Sequence, residues 1–467
     1  MNTSTGAESA VRDLLRGQRA FFDNGRTLPL PFRIHCLREL QHAVLKRQTD
    51  IEDALQTDLR RSHFESFLSE TILVLAGIKH AVKNIPHWAA PQKIRPSILN
   101  FCSTDMLIPE PYGLSLIISP WNYPFLLTLG PLTAAVGAGN CAVLKPSELA
   151  PASSSLLEEI VGAVFNPEHV AVIQGDADTA RDLLSRKFDK IFFTGSARVG
   201  KEVLKAAAER LIPTTLEMGG KSPCIVAETA DLPKAARRIV WGKLFNAGQT
   251  CLAPDYLLTH PSRKDELLKL LVKTIKSFYG RDIKNNPDYP RIINEKNFLR
   301  LSSYIEPDKV VCGGEQDIRD LYIAPTILDG VAWDDPVMTE EIFGPVLPVL
   351  TYASLEEAAQ RIKAREKPLA LYLFTSDQRD VDFFWSKCSF GGGCVNDTLT
   401  HVINERLPFG GVGASGMGRY RGQWGWREFS HLKTLSRRNN YPYIPLRYPP
   451  YSAKERFKSF LAHLFRC

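Results

Sequence analysis

Cys251 closes the run FNAGQTC, where small and polar residues let the backbone come close to a ligand. A cysteine presented on such a loop is a nucleophile once its surroundings favour the thiolate. The plain alternative is a buried core thiol, the usual fate of a lone cysteine in a reducing compartment. Glu217 ends a β-like run in TTLEMGGKSP. A carboxylate at a strand end beside two glycines is placed for general-base work; the plain alternative is a surface acid or a helix cap. Asn122 stands between Pro120 and Pro124 in SPWNYPF. Flanking prolines stiffen its backbone, and a pre-positioned amide NH2 is what a developing oxyanion needs, although asparagine is equally at home in a turn.

Two further segments suit a nucleotide. In FFTGSARVGK a strand runs into Gly195-Ser196 and a helix is expected to open near Val199-Gly200, so that backbone N–H groups at a helix start face an anion. The segment is not GxGxxG, and alone it is as well explained by an ordinary strand-turn-helix. In EEIFGPV, Glu341 precedes Phe343-Gly344-Pro345. A carboxylate there suits ribose hydroxyls and an aromatic suits a flat ring, against the plain alternative of an acidic turn before a strand.

The elements that must position these groups read as α/β. Up to about residue 95 apolar and charged positions alternate at helical spacing. Leu37, Leu40, Val44 and Leu45 form one expected buried stripe, and Ile51, Leu55 and Leu59 another. Residues 100–112 look extended and suit a projecting hairpin. From Gly113 short apolar runs (LSLIIS, CAVLK, HVAVIQG, KIFFTG) alternate with helical stretches, which implies a parallel sheet covered on both faces. A second α/β block follows Glu217, with strand-like SPCIVAE, APTIL, PVLPVL and LALYLF, helices near 234–245 and 265–278, and CVND leading into PFGGVGASGMG. After Tyr441 a Pro/Tyr-rich stretch gives way to AKERFKSFLAHLFRC. Phe457, Phe460, Leu461, Leu464 and Phe465 recur there at helical spacing, with Lys454, Arg456, Lys458 and Arg466 mostly off the stripe. This is a short basic amphipathic helix.

The 467 residues exceed what one core holds, so two or three domains are expected. With 44% hydrophobic and 23% charged residues the chain reads as an ordinary globular protein. A net charge of +7, diluted by 51 acidic residues, suits an anionic cofactor or a membrane surface and does not argue for nucleic acid. The nine cysteines are scattered without CxxC spacing, which suggests neither a zinc site nor a disulfide framework, and a reducing compartment, the cytoplasm, fits best. The N-terminus lacks an apolar core and reads as an amphipathic helix rather than a signal peptide. No stretch approaches the roughly 20 apolar residues of a spanning helix, and a terminal Cys467 does not make a CaaX prenylation site.

Taken in order, PWNYP, KPSE, FTGSxxVG, LEMGGKSP, GQxC, EEIFGPV and PFGGxGxSGxG resemble the aldehyde dehydrogenase superfamily across roughly Ser115 to Gly418. The RIINEKNF segment and the LRYPPY tail resemble its class-3 branch, which includes fatty aldehyde dehydrogenases. The resemblance implies a Rossmann-like dinucleotide-binding domain (1–99 and 114–215), a second α/β catalytic domain (216–394), a small β bridging element for oligomerisation (100–113 and 395–440) and a tail (441–467). It implies Cys251 as the nucleophile, Asn122 with the Cys251 backbone N–H on the oxyanion, and Glu217 activating water to release the acid from a thioester. It further implies that Glu341, with Phe343 beside it, holds the nicotinamide ribose. Lys145 and Glu148 face the adenosine ribose, and Gly195, Ser196, Val199 and Gly200 border the dinucleotide. Trp121 lines the same cleft, and Tyr123 touches substrate. The presence of Glu217 favours water over coenzyme A as acyl acceptor, and Glu148 favours NAD, with NADP also open. The branch implies medium- to long-chain aliphatic or aromatic aldehydes and a homodimer. The tail helix suits an anionic membrane, a partner's substrate funnel or packing on the body of the protein. A cysteine-dependent thioesterase without redox activity would not need KPSE, GSARVG or EEIFGP, and a non-catalytic binding protein would not need both Cys251 and Glu217.

Overall fold

Strands buried on both faces must be apolar along their whole length rather than alternating. Leu114–Ile118, Cys141–Lys145 and Lys190–Thr194 are buried at nearly every position, and Pro223–Val226, Tyr256–Thr259 and Ala370–Phe374 at every one. A computed structural model describes residues 3–97, 100–441 and 447–463 and places these strands in two open sheets. The six-stranded sheet runs Gly416–Met417, Thr214–Glu217, Lys190–Thr194, Leu114–Ile118, Cys141–Lys145, Val170–Val172, all parallel except the first. The seven-stranded sheet runs Val310–Cys312, Thr326–Leu328, Val346–Thr351, Tyr256–Thr259, Pro223–Val226, Ala370–Phe374, Gly392–Val395, again parallel except the first. The α/β architecture expected from the alternating runs is therefore present.

Each sheet has its own core. Leu116, Val143, Ile191, Phe193 and Leu216 pack with Leu183 and Val203 on the first. Ile225, Leu258, Val346, Leu350 and Leu373 pack with Phe298, Ile362 and Phe384 on the second. Both sheets lie in one compact unit, Met1–Trp88 with Pro111–His431. The second unit, Ala89–Glu110 with Leu432–Cys467, carries a three-stranded sheet in the order Gln92–Ile94, Ser103–Pro111, Ser430–Arg438. The segment read as a hairpin at 100–112 is one strand of this sheet, and its antiparallel partner is Gln92–Ile94.

Local readings hold with three corrections. Leu37, Leu40, Val44, Ile51 and Leu55 are fully buried and Leu59 nearly so, but Leu45 is 56% exposed. It sits one position past the stripe, where the helix surface turns to solvent. The helix expected near Val199 begins at Ala197, because the Ser196 hydroxyl accepts the Val199 N–H at 3.4 Å and caps it. The tail resolves into a 3₁₀ turn, Ser452–Phe457, and a helix, Lys458–His463, with Phe457 and Phe460 exposed. Leu464, Phe465, Arg466 and Cys467, and the side chain of Leu461, lie outside the described residues. Among the described residues no helix is long and apolar enough to cross a membrane.

Candidate active site

Three neighbouring parallel strands, Leu114–Ile118, Lys190–Thr194 and Thr214–Glu217, end side by side, with Ile118 opposite Phe193 and Thr194 opposite Glu217. Ligands in open α/β sheets bind beyond such carboxyl ends. The loops that follow are the ones singled out by sequence: Pro120–Phe125, Gly195–Ser196 and Met218–Gly220. Of these, Pro120–Tyr123, Gly195–Ser196 and Met218–Gly220 line a cleft of about 1250 Å³ that also takes in Thr250-Cys251, Glu341 and Phe343.

The cysteine loop begins where the helix Leu232–Leu244 stops. Asn246, Ala247 and Gly248 all have positive φ (55°, 50° and 75°). Two of the three are not glycine, so the turn is strained and surrounding bonds must hold it. The Asn246 N–H donates to Glu65 Oε1 at 2.8 Å. Gln249 is buried and fully used: its Nε2 donates to the carbonyls of Asn246 (3.1 Å) and Arg291 (2.9 Å), and its Oε1 accepts the Ile293 N–H (3.0 Å). Gly248 is obligatory, since a Cβ there would lie 2.3 Å from the Gly344 carbonyl oxygen. The result is a Cys251 that is partly exposed to the cleft. Burial, and then the charges of Glu341 and Glu217, push its thiol above the usual range. A proton acceptor is needed to make it a thiolate.

Glu217 is buried at the strand end, and neither carboxylate oxygen has a hydrogen-bond partner among the described residues. Burial, with the charge of Glu428 adding to it, holds its carboxyl well above the ordinary carboxylate range, against the opposing pull of Arg419 and Arg421. A buried carboxyl whose affinity for a proton is raised in this way is suited to proton transfer. Asn122 is buried and donates one amide hydrogen to the Gln249 carbonyl at 3.0 Å; an NH2 group has two. The Tyr123 hydroxyl bonds Thr250 Oγ1 at 2.6 Å.

Glu341 stands over Gly219, where a Cβ would come within 2.1 Å of its Oε1. Burial and then Asp255 push it up to about 8, while the Gly220 N–H, Lys221 and Arg300 pull it down. Trp121 and Phe343 meet edge to face at 5.5 Å. Gly195, Ser196, Ala197 and Arg198 line the cleft at a capped helix start. A cleft that joins this helix start to a carboxylate and two rings fits a nicotinamide dinucleotide with its phosphates at the helix.

Four of the expected residues stand outside the lining. Lys145, buried at its strand end, bonds the Pro146 carbonyl at 2.8 Å and Glu148 at 3.4 Å. Val199 is exposed on the helix and Gly200 is buried, where a Cβ would meet the Met218 sulfur at 2.5 Å. The structure also brings in residues to which the sequence assigned no role, Phe409 of the PFGG motif among them. Tyr420 and Phe409 exchange backbone hydrogen bonds (2.7 and 2.9 Å) and both line the cleft. Lys243 is buried beside the cysteine loop with no partner for Nζ among the described residues, and burial pushes its amine down to about 8.

Parallel strand ends opening on a helix start, with a cysteine and a buried carboxylate in the same cleft, are the setting of a dinucleotide-linked enzyme. The aldehyde dehydrogenase family model matches residues 1–435, and the chain belongs to that family. It is 44% identical over 441 residues to the 4,4'-diaponeurosporen-aldehyde dehydrogenase of Staphylococcus aureus, covering 94% of this chain and 96% of that one. It is 42% identical over 448 residues to the dimeric NADP-preferring aldehyde dehydrogenase of Canis lupus familiaris, covering 96% and 99%. Relatives at 42% and 44% identity carry the name aldehyde dehydrogenase family 3. The solved substrate-bound state of Staphylococcus aureus AldH matches with a TM-score of 0.94 at 43% identity, over 97% of this chain and 99% of that chain. The protein is an oxidoreductase that carries out NAD(P)-dependent oxidation of an aldehyde.

Proposed function

We propose that Cys251 adds to the aldehyde carbon and carries the acyl group as a thioester. The observation that carries this reading is the placement of Cys251 in one cleft with the Asn122 amide and with a Glu217 carboxylate whose oxygens have no partner among the described residues. As the thiolate adds, negative charge grows on the former carbonyl oxygen, and the second Asn122 hydrogen and the Cys251 N–H receive it. The cofactor, when bound, accepts the hydride. Glu217 then takes a proton from the water that cleaves the thioester.

Glu341 and Phe343 hold the nicotinamide ribose. Lys145 and Glu148 hold the adenosine ribose, and Gly195, Ser196, Val199 and Gly200 form the pyrophosphate turn, with Trp121 alongside. NAD is the preferred cofactor, because the Glu148 carboxylate repels a 2′-phosphate. The six-stranded half with the N-terminal helices binds the dinucleotide, the seven-stranded half carries catalysis, and the three-stranded element joins two subunits as a homodimer, like the dimeric relative. The protein works in the cytoplasm.

The substrate is a medium- to long-chain or aromatic aldehyde. Leu68, Leu73, Leu126, Leu127, Leu399 and Ile403 give the cleft an apolar wall, Tyr123 contacts the substrate, and a relative's name records a diaponeurosporen-aldehyde. Exposed Phe457 and Phe460 among Arg456 and Lys458 suit peripheral contact with an anionic membrane. The test follows NADH and NADPH formation with aldehydes from acetaldehyde to hexadecanal. Turnover that rises with chain length is expected; activity confined to short aldehydes overturns the substrate class and the membrane contact. A monomer or tetramer by light scattering overturns the dimer.

A further inference from the structure

Arg61 is fully buried, and its planar guanidinium is spent on the two loops that form the reaction centre. One terminal nitrogen donates to the Asn122 backbone carbonyl. Nε donates to the Asn246 side-chain oxygen at 3.2 Å. The other terminal nitrogen donates to Ser69 Oγ and Glu70 Oε1, both at 3.3 Å. Glu65 lies 3.8 Å from Nε, and the guanidinium carbon sits 4.7 Å over the Tyr123 ring. The acceptors are themselves tied to the same loops. Glu65 Oε1 accepts the Asn246 N–H, and Glu70 Oε2 accepts the Leu126 N–H at 2.7 Å. Asn246 Nδ2 bridges the Asn122 and Gln249 carbonyls at 3.2 and 3.3 Å. Ser69 and Glu70 ride on a single π turn, Phe67–Thr71, of the kind that recurs at functional sites.

We infer that Arg61 is a positioning residue for aldehyde oxidation, holding the Asn122 peptide against the Asn246–Cys251 turn so that the free Asn122 hydrogen points at the oxyanion. The inference rests on the proposed oxyanion role of Asn122. The geometry needs a guanidinium: four acceptors in different directions around one plane match its fixed fork, while the compact ammonium of lysine cannot reach them together. Burial raises Glu65 and Glu70 to about 7, with the Arg61 charge the largest opposing influence. Arg61→Lys keeps that charge and removes the fork.

The experiment is a double-mutant cycle on the full-length enzyme with Arg61→Lys, Asn122→Ala and the pair, reading kcat, aldehyde KM and dinucleotide binding. Asn246→Gly, which tolerates the positive φ and leaves every charge in place, runs as a second cycle and stands in should Arg61→Lys not fold. Arg61→Lys is expected to lower kcat about tenfold or more, with dinucleotide affinity within about twofold of the parent. In the Asn122→Ala background the same change is expected to cost less than about twofold, because the two act through one hydrogen bond. Losses that multiply, or an Arg61→Lys enzyme with parental kcat, overturn the inference alone. An Asn122→Ala enzyme as fast as the parent removes the oxyanion reading and the inference with it.

Discussion

The side-chain amide of Asn122 donates to the backbone carbonyl of Gln249 at 3.0 Å, two residues before Cys251. The proposed oxyanion donor and the loop of the proposed nucleophile are thereby joined by one hydrogen bond between residues 127 apart in sequence. Because the amide is planar, fixing one of its hydrogens fixes the direction of the other, and a donor aimed in advance at the position of the oxyanion needs no reorganisation as charge develops.

Replacing Cys251 by alanine removes the nucleophile and leaves the loop's supporting bonds intact, since none of them uses the sulfur. Oxidation is expected to vanish while dinucleotide affinity stays at the parental value. Residual steady-state NADH formation above the uncatalysed rate would show that another group attacks the aldehyde.

For Glu217→Gln, a burst of NADH followed by a stall at the thioester is expected, with steady turnover reduced on the order of 100-fold or more. The parent's deacylation should also depend on pH. Burial and Glu428 hold Glu217 above the usual carboxylate range, so the protonated form dominates at low pH and cannot accept a proton. The rate is expected to rise as pH rises through a titration above the ordinary carboxylate value, and the Glu217→Gln enzyme should lose that dependence. Stopped-flow absorbance at several pH values distinguishes a flat parent profile, which would remove Glu217 from this step.

Gly219→Ala places a methyl group where Glu341 now stands, 2.1 Å from its Oε1. The carboxylate must swing away, and dinucleotide binding is expected to weaken on the order of tenfold, equivalent to about 1.4 kcal/mol. Fluorescence titration with NAD reads this directly; unchanged affinity would show that Glu341 does not face the cofactor.

His169 is buried among Phe21, Phe32 and Phe165, with ring centroids 5.6, 5.2 and 5.4 Å away. Burial pushes its imidazole down to about 4. Between that value and the unfolded value near 6.5 the unfolded chain binds more protons, so stability falls as pH drops through this window, by up to about 3 kcal/mol. His169→Phe keeps a ring and removes the titration. Its denaturation midpoint should change less than the parent's between pH 7 and pH 5, and an identical acid loss would show that His169 is not a source of it.

The site residues were legible because chemistry imposes type and order on short strings. Cys251 in GQTC, Glu217 before Gly219-Gly220, and Asn122 between two prolines each had a plain alternative, and only their shared order resolved it. Strand and helix positions were legible from periodicity, since burial on both faces demands runs such as KIFFT. Helix edges were less so: Leu45 continues the apolar spacing yet faces solvent, and Ser196 starts its helix ahead of Val199 because a hydroxyl found an orphan N–H.

What the amino-acid order determined by itself was the α/β alternation and the family, both of which depend on neighbours along the chain. What only tertiary structure decided is seen in Arg60 and Arg61, adjacent and identical in type. The Arg60 side chain is 58% exposed and pairs with Asp320, while that of Arg61 is wholly buried between Glu70, Asn246 and the Asn122 carbonyl. Nothing in their local sequence separates them. Burying a guanidinium is tolerable only where distant segments supply enough acceptors to offset its lost hydration, and those acceptors come together only in the folded chain.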